Sequence, residues 1–422
     1  MSKILKKINH YILSSFLSVM FVIGCAPIDI SRDENLQSKI SPKRTIRDSS
    51  LKAPIKNITV YPKQIGLLIP LSGENKNYGT AIQKGFLSAY FFLAKDLDSL
   101  QKIKIYDINN FENASEAYRQ AVKDGAEFIV GPLMQESVVN ISKESLLPIK
   151  LLALNNLPKD IKASLGMYQF ALSLEDEILS AAHRAIADGN IHATILTPNN
   201  ELGKSFQKIF SDEFEKLGGI ILKTESYELN EKDFSYEIKN LMGIAESEAR
   251  YERLRANIRE NLAFEPRRRQ DIDMIFLVSD ASIGRLIKPQ LKFYYSGEVP
   301  VYSISTIYTT NKQSYDDLHG IIFSDSPWTI DPQSWIELLP EIFEKYWPGS
   351  FRQNRLHAMG FDAYLLANKL FSHQNGVIVS EINGTTGQLY LDKSNRLHRR
   401  LAWAQFINGD VVALPDPLIE KN

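Results

Sequence analysis

The run Met274-Ile275-Phe276-Leu277-Val278 limits the fold more than any other stretch of this chain. An unbroken apolar segment with β-branched and aromatic side chains does not suit a strand with one wet face. It suits a strand buried on both faces, as in a parallel sheet. Ser279-Asp280 follows at once and brings side-chain oxygens that cap a helix. That helix is expected to carry Ile283, Leu286 and Ile287 on one face and to end before Pro289. Val299 to Ser303 is the next strand, so about 30 residues make a βαβ unit. The unit itself needs neither Arg267-Arg268-Arg269 before its first strand nor Lys292-Phe293-Tyr294-Tyr295 after its helix.

The same alternation starts much earlier. Gln64 to Ile69 reads as a buried strand, Leu71-Ser72-Gly73 as a loop, and Gly79 as the opening of a helix with Ile82, Phe86, Ala89, Tyr90 and Leu93 on one face. Strands are expected at Lys102 to Ile108, Glu127 to Val130 and Lys150 to Leu154, with helices at Ser115 to Lys123 and Ser137 to Ser145 between them. Tyr168 to Leu172 reads as a crossing. Beyond it the pattern repeats, with strands at His192 to Leu196 and Ile220 to Ser226, and helices at Glu175 to Asp188, Ser205 to Leu217 and Phe234 to Met242. Leu389 to Asp392 and Ala402 to Asn408 read as a closing pair in the second lobe. The expectation is an α/β protein of two doubly wound lobes with parallel sheets joined by several crossovers. A chain of 422 residues is long enough for two cores. Residues 63–172 with 326–375 make lobe 1, and 173–325 with 376–415 make lobe 2.

The N-terminus reads differently. Lys3, Lys6 and Lys7 precede an apolar core from Tyr11 to Ile23, too short to span a bilayer comfortably, so 1–24 reads as a signal peptide. Val22-Ile23-Gly24-Cys25 resembles a bacterial lipobox, with Cys25 as the acyl acceptor; the alternative is a plain membrane anchor with a chance cysteine. Cys25 is the single cysteine of the chain, which excludes an internal disulfide. Acyl chains on it would hold the protein to a membrane. Residues 25–62 are charged, poor in apolar residues and broken by Ser-Pro, Ala-Pro and Tyr-Pro, and read as a flexible tether.

Net charge is −1, and about −4 without the three leader lysines, which argues against a nucleic-acid binder. The histidines are scattered and form no His-Glu-x-x-His, and there is no Walker loop and no Gly-x-Ser-x-Gly elbow. No catalytic residues, metal ligands or cofactor are expected. Ser72, Gly73 and Gly79 sit where the first strand runs into a helix, a place that suits a carboxylate or phosphate; the alternative is a turn that the fold requires. Glu246 to Leu262 is a surplus charged helix with Leu254, Ile258 and Leu262 at a narrow stripe, either an ordinary surface helix or a partner-binding insertion. Its Arg253, Arg255 and Arg259, with Arg267, Arg268 and Arg269, are candidates for a partner surface that pairs carboxylates; the alternative for the last three is a solvated strand entrance. Arg396-Leu397-His398-Arg399-Arg400 raises the same question with less support.

Four stretches together resemble the LppC/LpoA family of penicillin-binding-protein activators. They are Arg267 to Tyr302; Leu68-Ile69-Pro70-Leu71-Ser72-Gly73 with Gly79 and Gly85-Phe86; Phe323-Ser324-Asp325-Ser326-Pro327-Trp328; and Gly360-Phe361-Asp362-Ala363-Tyr364 with Gly384-Thr385-Thr386-Gly387. The resemblance implies a type I periplasmic binding protein-like fold. It implies an outer-membrane lipoprotein, facing the periplasm, that binds a class A penicillin-binding protein and promotes peptidoglycan synthesis. Ala26 after the lipid site agrees with outer-membrane sorting. Long members of the family carry a helical-repeat domain before the lobes, where the tether stands here. The competing expectation is a lipid-anchored periplasmic receptor for amino acids or peptides, with a small-molecule ligand in the cleft beside Ser72.

Overall fold

The computed structural model describes residues 61–93, 101–258, 263–310, 314–330, 339–348, 355–372 and 381–417. All lie in one compact unit, Ser49–Asn422. The leader, Cys25 and the tether up to residue 60 fall outside the described residues.

The first sheet opens with β1 (Gln64–Ile69), whose apolar run is buried from Ile65 onward. Helix α1 (Lys76–Leu93) follows, then β2 (Lys102–Asp107), α2 (Ala114–Lys123), β3 (Phe128–Val130), α3 (Gln135–Ile141), β4 (Leu146–Ala153) and β5 (Leu165–Phe170). Neighbours among these strands are all parallel. The chain crosses at 171–173 into α4 (Leu174–Ala187), which Ser173 caps through its hydroxyl to the Asp176 N–H. Then come β6 (His192–Pro198), α5 (Glu201–Lys216), β7 (Ile220–Tyr227), α6 (Ser235–Leu241), α7 (Ile244–Asn257), β8 (Met274–Leu277), α8 (Ala281–Leu291), β9 (Val301–Ser303) and β10 (Ile321–Asp325). Strand β8 is wholly buried, as its composition requires. Asp280 caps α8 with bonds from the Ser282 and Ile283 N–H groups.

Helix α8 does not stop before Pro289 but runs to Leu291 and passes into a π turn at Lys292–Ser296. Pro289 has no N–H for the carbonyl one turn back. Ile283, Ile287 and Leu291 nevertheless continue one buried stripe across it, so core burial holds the last turn. Leu286, expected on that stripe, is 38% exposed.

After a second crossing at Ser326 the chain returns through α9 (Pro327–Ile330), α10 (Leu339–Tyr346) and α11 (Arg355–Ser372). Helices α1 and α11 meet at two glycines. A Cβ on Gly85 would lie 2.0 Å from the His357 carbonyl oxygen, and one on Gly360 would lie 2.2 Å from that of Ile82. Only glycine lets these backbones touch.

The closing strands correct the expected lobe boundary. β11 (Ile382–Asn383), β12 (Gln388–Leu391) and β13 (Arg396–Arg400) extend the first sheet, in the order β11-β12-β13-β5-β4-β3-β1-β2. β14 (Ala402–Ile407) and β15 (Asp410–Leu414) extend the second, in the order β15-β14-β10-β9-β8-β6-β7. The expected pair of Leu389 to Asp392 with Ala402 to Asn408 does not form. Ile382, Leu389 and Leu397 bury themselves in the first core, and Ala404 and Phe406 in the second. Residues 381–400 therefore belong with lobe 1, and Leu401 is a third crossing.

Candidate functional site

The carboxyl ends of the parallel strands β5, β13 and β10 run into the three crossings between the lobes. In lobe 1 the loop after β1 is held by the Asp107 carboxylate, which accepts the Leu71 N–H at 2.9 Å, and by Asn109 Nδ2, which donates to the Ser72 carbonyl at 2.6 Å. Ser72 is half-buried and Gly73 is exposed with φ +68°. Gly79 plays another part than the one expected. It lies inside α1, which starts at Lys76, and it is buried; a Cβ there would fall 1.8 Å from the Pro70 carbonyl oxygen. Gly79 lets the helix pack on the strand end and presents nothing to the cleft.

The lobe junction holds side chains that the sequence reading did not single out as a group. Arg355, the first residue of α11 in lobe 1, grips Asp325 at the end of β10 in lobe 2 through Nε to Oδ1 at 2.7 Å and Nη2 to Oδ2 at 2.5 Å. The same Nη2 donates to the Ser305 and Tyr308 carbonyls at 2.9 and 3.2 Å. Arg399 of β13 meets Glu177 of α4 at 3.3 Å, and the Ser305 N–H donates to the other Glu177 oxygen at 3.0 Å. Burial pushes the Glu177 carboxyl up, and the Arg399 charge opposes that. His398 joins Asp176 at 2.9 Å and Asp392 at 3.3 Å, and the bond to Asp176 raises its pKa. Within the basic stretch 396–400, His398 and Arg399 thus form an inter-lobe joint, with Arg399 only 2% exposed, while Arg396 and Arg400 bond within lobe 1. The adjacent acids Asp176-Glu177 and the adjacent bases His398-Arg399 were the available signal, but they stand 222 residues apart.

The arginines before β8 divide by role. Arg269 clasps Asp271 with Nε to Oδ1 at 3.0 Å and Nη2 to Oδ2 at 2.7 Å, and its hydrogen bonds hold the Asp271 carboxyl below the usual range. Its side chain also lies over Gly243. Arg267 is exposed, and its N–H reaches the Ser247 hydroxyl of α7 at 3.3 Å. Arg268 is half-buried and donates to the Arg269 carbonyl at 2.8 Å. It lines a cavity of about 650 Å³ with Lys288, Lys292, Glu298, Asp316 and Asp317.

The surplus helix is α7, shorter than expected and set two residues earlier at its start. It buries Ile244 and Ser247 and ends where Ile258 turns extended. The narrow stripe does not reach the core: Leu254 and Ile258 are 48% and 38% exposed. Arg253 and Arg255 point to solvent beside them, Arg255 with Glu252 at 3.8 Å. Arg259 and Leu262 lie outside the described residues. Among the described residues, no His, Cys, Asp and Glu group could hold a metal ion, and no helix is long and apolar enough to cross a membrane.

The family described as "LppC putative lipoprotein" matches residues 53–409. A curated relative, the penicillin-binding protein activator LpoA of Photobacterium profundum, is 28% identical over 355 residues, covering 82% of this chain and 56% of the relative. The chain thus spans little more than half the length of the curated relatives it matches. The LpoA C-domain from Haemophilus influenzae, described as a regulator of PBP1A, is 26% identical with a TM-score of 0.63, covering 83% of this chain and 100% of that domain. A benzoate-bound ABC transporter solute-binding protein from R. palustris shares the fold at 15% identity and a TM-score of 0.51, covering 83% of this chain and 95% of that one. The match across most of the chain and the two-lobed fold lead to one assignment: this chain belongs to the LppC lipoprotein family.

Proposed function

We propose that this protein is an outer-membrane lipoprotein, anchored through Cys25 and facing the periplasm, that binds a class A penicillin-binding protein and stimulates its peptidoglycan synthesis and cross-linking. The observation that carries the reading is the match to the whole of a domain described as a regulator of PBP1A. The protein acts by binding and not by catalysis. Its differential affinity for an active state of the synthase shifts that equilibrium.

The contact surface is assigned to α7 and the arginines beside it. Leu254 and Ile258 offer exposed apolar area, Arg253 and Arg255 stand exposed on the same helix, and exposed Arg267 meets its first turn at Ser247; their guanidinium groups suit carboxylates. The receptor reading rests on the fold alone, and Gly79 serves packing.

The test adds the purified, lipidated protein to a class A penicillin-binding protein from the same bacterium and follows glycan polymerisation and peptide cross-linking. A saturable rise in either rate is expected. A synthase that neither binds nor speeds up would overturn the proposal.

A further inference from the structure

The cavity beside Arg268 lies far from the junction. Arg268 precedes β8, Glu298 precedes β9, and Asp316 and Asp317 precede β10, while Lys288 and Lys292 come from the end of α8. These are the amino ends of the strands, so the cavity opens at the pole of lobe 2 turned away from lobe 1. The fold places ligands of solute receptors at the opposite ends.

Lys288 is the unusual group. It is 7% exposed, yet among the described residues no hydrogen bond or ion pair takes up its ammonium, which opens to the cavity. Its Nζ lies about 3.7 Å from the place a Cβ on Gly320 would occupy, so it sits beneath the turn that leads into β10. Burial lowers its pKa, and the neighbouring charge of Lys292 lowers it further. The ammonium is therefore left to solvent at the cavity wall, and an anion entering the cavity would meet it. The acids of the cavity do not come within ion-pair distance of it. Asp316 is engaged with the Ser314 hydroxyl at 2.6 Å.

We propose that this cavity is a binding site for a small zwitterion, such as a free amino acid or a peptide end. The carboxylate meets Lys288, with Lys292 and Arg268 beside it, and the ammonium faces Asp316, Asp317 and Glu298. The two signs of charge on one cavity select this class. A lone dianion such as phosphate would satisfy Lys288 but face three carboxylates. A simple amine would face the lysines. A zwitterion places each of its charges against the opposite one. About 650 Å³ is ample for a dipeptide and falls within the range of small-molecule sites.

The test uses the full-length lipoprotein in detergent with ¹³C-methylated lysines, titrated separately with alanyl-alanine, acetate and inorganic phosphate while the Lys288 methyl resonance is followed by NMR. Lys288→Met assigns that resonance and keeps the apolar stem. The dipeptide is expected to shift it saturably and to bind at least 10-fold tighter than acetate or phosphate. Lys288→Met is expected to abolish binding. Asp317→Asn, at an exposed wall, is expected to weaken the dipeptide and leave acetate unchanged. No shift with any probe overturns the site. Phosphate binding tighter than the dipeptide overturns the zwitterion.

Discussion

At the scale of single residues, two positions show how differently legible their roles are. Gly79 was visible in the sequence as a glycine near a strand end, but its role was not. A ligand-facing glycine and a packing glycine look alike until the Pro70 carbonyl is placed 1.8 Å from its missing Cβ. Gly79→Ala is therefore expected to destabilise the protein by about 2–3 kcal/mol through overpacking, measured by urea unfolding. His398 gives a pH signature. Its pKa is raised in the folded protein by Asp176 and then Asp392. Its stabilising contribution is thus full below the unfolded value of about 6.5 and fades as pH rises through the raised folded value. The Tm difference between wild type and His398→Gln should be largest in mildly acidic buffer and shrink towards alkaline pH. A difference that grows with pH would show that His398 is not held as a cation.

At the scale of elements, period and burial made β1 and β8 legible, because a strand covered on both faces writes its environment into consecutive residues. Helix ends were less legible. The local rule ends α8 before Pro289, while Leu291 gains enough from a fully buried site to carry the helix on. In α7 the stripe at Leu254 and Ile258 satisfied helical spacing, but spacing does not say whether anything covers it. Its charge does permit a clean test of the proposed interface. Arg253→Glu with Arg255→Glu alters exposed side chains, so folding stability should change by less than about 0.5 kcal/mol. Affinity for the synthase, measured by surface plasmon resonance, should fall at least 10-fold. Unchanged affinity would remove α7 from the interface.

At the scale of the whole molecule, the lobes are joined by three crossings and by charges that reach across. Asp325 is 1% exposed, and Arg355 is its ion-pair partner. Arg355→Ala leaves that carboxylate buried and unpaired, and should cost about 3 kcal/mol. It should also loosen the lobes, seen as a larger radius of gyration in solution scattering. Lost stability with an unchanged radius would mean that the crossings alone set the lobe angle.

The alternation of strand and helix, and hence two α/β lobes, was determined by the sequence itself, because each buried strand and each helical face is encoded within a few neighbouring residues. The family stretches were legible for the same reason, as contiguous runs. Only the tertiary structure decided that β12 and β13 join the first sheet, since two short amphipathic strands suit either edge until Leu389 and Leu397 find a core. Only it placed Arg355 on Asp325 and Arg399 on Glu177, and brought Lys288 and Arg268 to one cavity. Such meetings depend on how distant elements pack, and no local propensity or spacing carries that information.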